Sequence, residues 1–299
     1  MSATMFRRED QGYSRHQHFV ILEGWRLMSD FSLLSVDDGV SAHCPVAQQE
    51  RAPSASLIPA EKKPPIGSFS GHVLAIESLG GDVVELVIST DDQMKIMPGQ
   101  YVQACFTGFP ARSYSPTVAL KGAGDSDTLR LHVQRTANGR VSNALGAAIK
   151  PGHSVEIVGP YGEGYLRPGA TDRLVLVASG VGFAPIWSIA HAALRENPDR
   201  EMVVIVVAKD RGGLYMAPTL VRLAACANVR VIPVVPQIGR LASAAWIGNP
   251  LVFMPRLSSS DIVYASGAPL MVEGVASIAQ GAGARCYADP FIPAEQEAA

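Results

Sequence analysis

Hydrophobic and polar positions follow three different rhythms along the chain. Up to residue 65 the rhythm is poor. Polar clusters (His16-Gln17-His18 and Gln48-Gln49-Glu50) and Pro45, Pro53, Pro59, Pro64 and Pro65 interrupt any helical or strand period. One apolar patch, Phe19 to Leu27, could pack locally. Residues 1–65 are therefore expected to form a poorly ordered tail or linker lying partly on the main body.

From 66 to 168 the apolar residues come in short runs of strand length: Phe69–Ile76, Val83–Ile88, Tyr101–Phe106, Leu129–Val133 and Val155–Val158. Pro98-Gly99, Lys121-Gly122-Ala123-Gly124 and Pro151-Gly152 supply turns between them. With the strand at Arg112 these make six, enough for a small antiparallel β-barrel. Ser142 can cap a short helix over Asn143–Ile149.

From 169 to 299 strands and helices alternate. An unbroken apolar run, Leu174–Ala178, passes through Ser179–Pro185 into Ile186, Trp187, Ile189, Ala190 and Leu194, which are spaced for one helical face. Strands follow at Met202–Ala208, Val229–Val235, Asp261–Ala265 and Ala284–Ala288. Helices are predicted over Leu214–Ala227 and Ala268–Gln280, and Arg240–Ser260 is irregular. This alternation predicts a parallel, doubly wound α/β sheet.

Composition narrows the function classes. A hydrophobic share of 47% against 17% charged residues supports a sizeable core in a chain of 299 residues, which suggests two domains. The net charge of −2 gives no reason to expect nucleic-acid binding. No apolar run reaches the roughly 18 residues of a membrane span, and no apolar stretch follows Arg7 and Arg8 as a signal peptide would require. Cys44, Cys105, Cys226 and Cys286 are scattered, which fits a reducing compartment and a cytoplasmic location. His16, His18, His43 and Cys44 lack a second pair at ligand spacing, so no metal site is expected.

Four strings carry candidate chemistry. Gly180-Val181-Gly182, with Pro185 in the first helical turn, joins strand to helix so that free N–H groups and the helix dipole face an anion. Arg112-Ser113-Tyr114-Ser115 offers a guanidinium for a diphosphate, a ring for stacking and a hydroxyl. Gly139-Arg140-Val141-Ser142 lets backbone approach an anion, and Tyr264-Ala265-Ser266-Gly267-Ala268-Pro269 repeats the strand–glycine–helix pattern. Each string alone also suits a plain strand, an N-cap or a routine β–α turn.

In this order and spacing the four strings, spanning residues 66–293, resemble the ferredoxin–NADP reductase superfamily. The resemblance implies a flavin-binding barrel and a nicotinamide-dinucleotide sheet. Arg112 and Ser113 would hold the FAD diphosphate, Tyr114 would stack on the isoalloxazine and Ser115 would approach flavin N5. His132, Val133, Gly139, Arg140, Val141 and Ser142 would complete the FAD site. Gly180, Gly182 and Pro185 would take the dinucleotide, and Gly267 and Pro269 would flank the nicotinamide. The closing Tyr287–Phe291 resembles reductases of aromatic-ring oxygenases, with Phe291 over the flavin face.

Ser115 and Ser266 are the implied catalytic residues, although hydride transfer needs no side-chain acid or base. Ser266 stands where the family has Cys, and Val181 where it commonly has Thr. The implied partner is a ferredoxin or oxygenase component. With one Cys before residue 66, no two-iron domain is expected. Asp210, after the second strand of the sheet, would accept a ribose 2′-OH and favours NADH, while Lys209 and Arg211 leave NADPH possible. Two alternatives remain: a free-flavin or small-acceptor reductase, and a non-catalytic nucleotide sensor on the same fold.

Overall fold

A computed structural model describes residues 63–118, 128–209, 213–235 and 249–292. The expectations for residues 1–62, for Cys44 and for Asp210 and Arg211 lie outside the described residues.

The first sheet has seven antiparallel strands: β1 (Gly67–Gly80), β2 (Val83–Thr90), β3 (Tyr101–Phe106), β4 (Arg112–Tyr114), β5 (Pro116–Thr117), β6 (Thr128–Gln134) and β7 (Ser154–Tyr161). Their order is β4-β3-β7-β1-β2-β6-β5. The two outer strands are joined through Ser115 alone, and β4 also touches β6, so the sheet curls into a nearly closed barrel. Alternation explains its interior. Val102, Ala104 and Phe106 of β3, Leu129, Leu131 and Val133 of β6, and Val155 and Ile157 of β7 turn into one buried cluster. Strand β5 went unpredicted because two residues ending in Pro116-Thr117 carry no period.

The helix expected over Asn143–Ile149 does not form. Those residues run through successive turns, and Leu145 makes an isolated bridge with Ile149. Two causes are visible. The Arg135 guanidinium donates to the carbonyls of Ser142 (3.1 Å) and Leu145 (2.8 Å), oxygens that a helix would have used itself. Gly146 sits at φ +83°, outside helical space.

The second sheet is parallel, with strands β8 (Leu174–Ser179), β9 (Met202–Val207), β10 (Val229–Val234), β11 (Ile262–Gly267) and β12 (Arg285–Pro290) in the order β10-β9-β8-β11-β12. Its helices are α1 (Phe183–Glu196), α2 (Ala217–Ala224) and α3 (Pro269–Gly281). Odd and even residues of β8 enter different cores. Leu174 and Leu176 pack with Trp187 and Leu220, whereas Val175 and Val177 pack with Met271 and Val275. Both faces are thus covered, as the continuous apolar run requires. The chain leaves β8 toward β9 on one side and returns through β11 on the other. The crevice at the carboxyl ends of β8 and β11 is therefore the switch point where such sheets bind ligands. No helix among the described residues is long and apolar enough to cross a membrane.

Candidate functional site

The two glycine turns at the switch point are locked together. A Cβ on Gly182 would lie 2.4 Å from the Ser266 carbonyl oxygen, and one on Gly267 would lie 2.4 Å from that of Ser179. The backbones approach so closely that only glycine fits at either place. Gly267 also needs its freedom at φ +118°. The Ser179 hydroxyl accepts a hydrogen bond from the Ala268 N–H at 2.7 Å, tying the start of α3 to the end of β8. Gly180, at φ +54°, begins a single 3₁₀ turn, and α1 follows with Pro185 in its first turn. Ala268 and Pro269 are exposed at the mouth of the crevice, beside Phe291, whose N–H donates to the Gly267 carbonyl at 2.8 Å.

The barrel meets this crevice through its β4–β5 seam. Ser115 is 8% exposed and Ser266 2%, although they belong to different sheets. Between them stands Asp289, the register partner of Ser266 on the neighbouring strand. Burial pushes the Asp289 carboxyl up to about 6, against the pull of the Ser115 and Ser266 hydroxyls beside it. Ser266 Oγ and Asp289 Oδ2 are sealed from solvent and lack a hydrogen bond of good geometry, so the cluster retains unused polar capacity. A small cavity lined by Gly164, Pro185, Ile186, Ser266 and Asp289 opens beside it. Asp289 escaped the sequence reading because its role depends on a parallel register between distant segments. The available signal was its position at the carboxyl end of the last strand.

The flavin candidates occupy one side of the barrel. Arg112 is partly exposed; its guanidinium donates to the neighbouring Ala111 carbonyl at 2.8 Å, and it meets no carboxylate in an ion pair among the described residues. Tyr114 packs against the barrel core, and burial holds its hydroxyl at about 12 despite the Arg112 charge. Ser113 and Arg140 are exposed. A Cβ on Gly139 would come within 2.1 Å of Ser142 Oγ, which itself accepts the Thr136 N–H at 3.3 Å. The Gly139–Ser142 segment is therefore a tight backbone turn without a helix dipole behind it.

Val133 and Val141 face the core, and the His132 ring is turned to Glu85 and Tyr215. For these three only the backbone is left to a ligand. A guanidinium without a counter-ion, a ring at the seam and a glycine turn fit a dinucleotide with a diphosphate. Among the described residues no group of three or more His, Cys, Asp or Glu could hold a metal ion.

Comparisons with known proteins agree with this geometry. Residues 71–165 match the family described as oxidoreductase FAD-binding domain. The ferredoxin–NAD(P)+ reductase component of the naphthalene 1,2-dioxygenase system of Pseudomonas putida is 28% identical over 239 residues, covering 77% of this chain and 70% of the relative. The chain thus carries an FAD-binding oxidoreductase domain and resembles reductase components of oxygenase systems. With that domain it is an FAD-binding oxidoreductase.

The ferredoxin–NAD+ reductase component of the Xanthobacter autotrophicus alkene monooxygenase system is 30% identical over 214 residues, 70% of this chain. This chain spans 64% of that relative, less than two thirds of its length. Two solved structures share this fold of a barrel and a parallel sheet. The ferredoxin reductase of carbazole 1,9a-dioxygenase superposes with a TM-score of 0.65 at 21% identity, covering 76% of this chain and 70% of its own. The ferredoxin–NADP+ reductase of Neisseria gonorrhoeae, with FAD and NADP bound, superposes with a TM-score of 0.56 at 20% identity, covering 73% and 92%.

Proposed function

We propose that the chain is a cytoplasmic flavoprotein reductase that takes a hydride from NADH and delivers electrons to a separate ferredoxin or oxygenase component. The observation that supports it best is the meeting of Ser115, from the barrel, with Ser266 and Asp289, from the parallel sheet. In this reading residues 66–168 form the FAD unit and residues 169–299 the NAD(P) unit.

FAD, when bound, accepts a hydride from the reduced nicotinamide and releases electrons singly or in pairs. The chain's own residues supply position and charge. Arg112 neutralises the diphosphate and Tyr114 offers its ring. The backbone at Gly139–Ser142, with Ser113 and Arg140 exposed beside the seam, takes the second phosphate. Gly180 and Gly182, with the amino end of α1, would hold the phosphates of the nicotinamide dinucleotide, and Gly267 and Pro269 would flank its ring.

Asp289, balanced at about 6, holds a proton at its carboxyl part of the time near neutrality, within reach of the Ser115 and Ser266 hydroxyls. Phe291, whose N–H donates to the Gly267 carbonyl, would cover the flavin face until nicotinamide enters. Asp210 would accept the ribose 2′-OH and repel a 2′-phosphate, although Lys209 beside it carries the opposite charge.

Chromatography of the flavin released on denaturation tests the FAD assignment: FAD is expected, and FMN alone would overturn it. Comparison of kcat/KM tests the Asp210 reading, and a preference of roughly tenfold for NADPH would overturn it.

A further inference from the structure

The barrel strand β6 carries a polar group where none is needed by the flavin reading above. Its outward face bears Arg130, His132 and Gln134, residues that would ordinarily meet water. Yet the His132 side chain has no solvent exposure at all. Directly across the ladder is Glu85 of β2, its register partner and itself 6% exposed. Glu85 Oε2 accepts a hydrogen bond from Arg130 at 2.8 Å, and Glu85 Oε1 lies 3.5 Å from His132 Nε2. The other ring nitrogen, Nδ1, is 3.2 Å from the hydroxyl of Tyr215. The two rings meet edge-on, with centroids 5.4 Å apart.

Tyr215 belongs to the other unit. It precedes α2 and packs against the apolar layer under the parallel sheet. Two residues along the same face of β6, the Gln134 side-chain oxygen would lie 3.6 Å from a Cβ placed on Gly180. One face of one barrel strand therefore touches both the loop before α2 and the first glycine of the dinucleotide turn.

The chemistry of the chain is directional. In the tautomer with Nε2–H toward the Glu85 carboxylate, Nδ1 is left to accept the Tyr215 O–H. His132, seconded by Arg130, holds the Glu85 carboxyl below the usual carboxylate range, so its charge is present to orient the ring. Burial pushes the Tyr215 hydroxyl well above the ordinary phenol value, so it stays a donor. Glu85 Oε1 and His132 Nε2 are both closed off from water with no other partner, so each depends on the other for its orientation.

We propose that Glu85, His132 and Tyr215 form a positioning chain across the two units, fixing the Gly180 turn over β6 and so setting the alignment of nicotinamide on flavin. The consequence for rate rests on the reductase reading; the fixing of the turn does not. None of the three needs to touch the reacting atoms. Their effect passes through the turn that they hold, and a misplacement of ångström scale there is enough to slow hydride transfer.

The test compares the purified holoprotein with Tyr215→Phe, which keeps the ring and removes the hydroxyl. A second pair separates packing from hydrogen bonding: His132→Gln keeps an acceptor for Tyr215, and His132→Leu does not. Hydrogen–deuterium exchange over residues 174–183 should rise in Tyr215→Phe and His132→Leu and stay near wild type in His132→Gln. In anaerobic stopped flow the first two should lose roughly five- to tenfold in the rate of flavin bleaching, with KM for NADH and flavin content held. Unchanged exchange over 174–183 in Tyr215→Phe would overturn the proposal. So would a His132→Gln variant as impaired as His132→Leu. A wild-type protein whose flavin NADH cannot bleach would overturn the reductase reading alone, because exchange would still decide the chain.

Discussion

Replacing Asp289 with Asn should make the protein more stable, by an amount that grows with pH. The Asp289 carboxyl is at about 6 in the fold against an ordinary 3.8. The folded state therefore holds this proton more tightly than the unfolded chain does. The group's contribution is greatest below the ordinary value, falls as pH rises toward 6 and levels off above. The gap corresponds to about 3 kcal/mol; because the residue is only partly shielded from water, about 2–3 kcal/mol is the expected range.

Wild type alone would hide the effect. His191, which burial and the nearby Arg195 push down to about 4, acts in the opposite sense over the same window, losing stability as pH falls. The difference between variant and wild type cancels His191 and every other shared group. Urea unfolding of both proteins from about pH 4 to about pH 7 should show the Asn variant gaining over wild type by those 2–3 kcal/mol, with equal slopes in urea. A difference that stays flat with pH, or one that shrinks as pH rises, would refute the assignment of a half-buried, proton-holding Asp289. The same substitution should remove an inflection near 6 from the pH profile of NADH oxidation, because the proton-holding carboxyl is gone.

Other outcomes follow from the same geometry. Arg112→Ala should weaken flavin retention by about 1.5–3 kcal/mol, the scale of a charge-assisted hydrogen bond; unchanged flavin content after gel filtration would remove Arg112 from the site. Gly182→Ala drives a methyl to 2.4 Å from the Ser266 oxygen and should cost about 1–3 kcal/mol in thermal or urea unfolding, with loss of dinucleotide binding. Gly281→Ala, at the end of α3 with nothing near the new methyl, should be neutral or stabilising by up to about 1 kcal/mol. Equal behaviour of these two glycine variants would count against the locked turns.

Legibility in the sequence followed the range of the interactions. The strand–turn–helix unit of β8 and α1 is written locally, as an apolar run, a glycine pair, a proline and a helical face, and it forms where expected. The barrel strands were legible for the same reason, since alternation is a property of each strand by itself. The failed helix over Asn143–Ile149 shows the converse. Its residues read as a capped helix until Arg135, seven residues before Ser142 closes the cap, takes two of the carbonyls. The candidate site depends on pairings between distant segments. Ser266 meets Asp289 through the β11–β12 register, and Ser115 joins them only because the barrel closes at its seam. His132 was picked out as a flavin contact, but its ring faces Tyr215, some eighty residues away, a pairing that no local pattern encodes.

The central claim, that this chain carries a hydride from a reduced nicotinamide to a bound flavin, is tested most directly by an anaerobic titration of the purified protein with NADH, followed by its visible spectrum. The account predicts a yellow protein whose flavin band bleaches in proportion to added NADH and returns when an electron acceptor is admitted. A protein that holds no flavin, or one whose flavin band is unchanged by excess NADH and by excess NADPH, would contradict it.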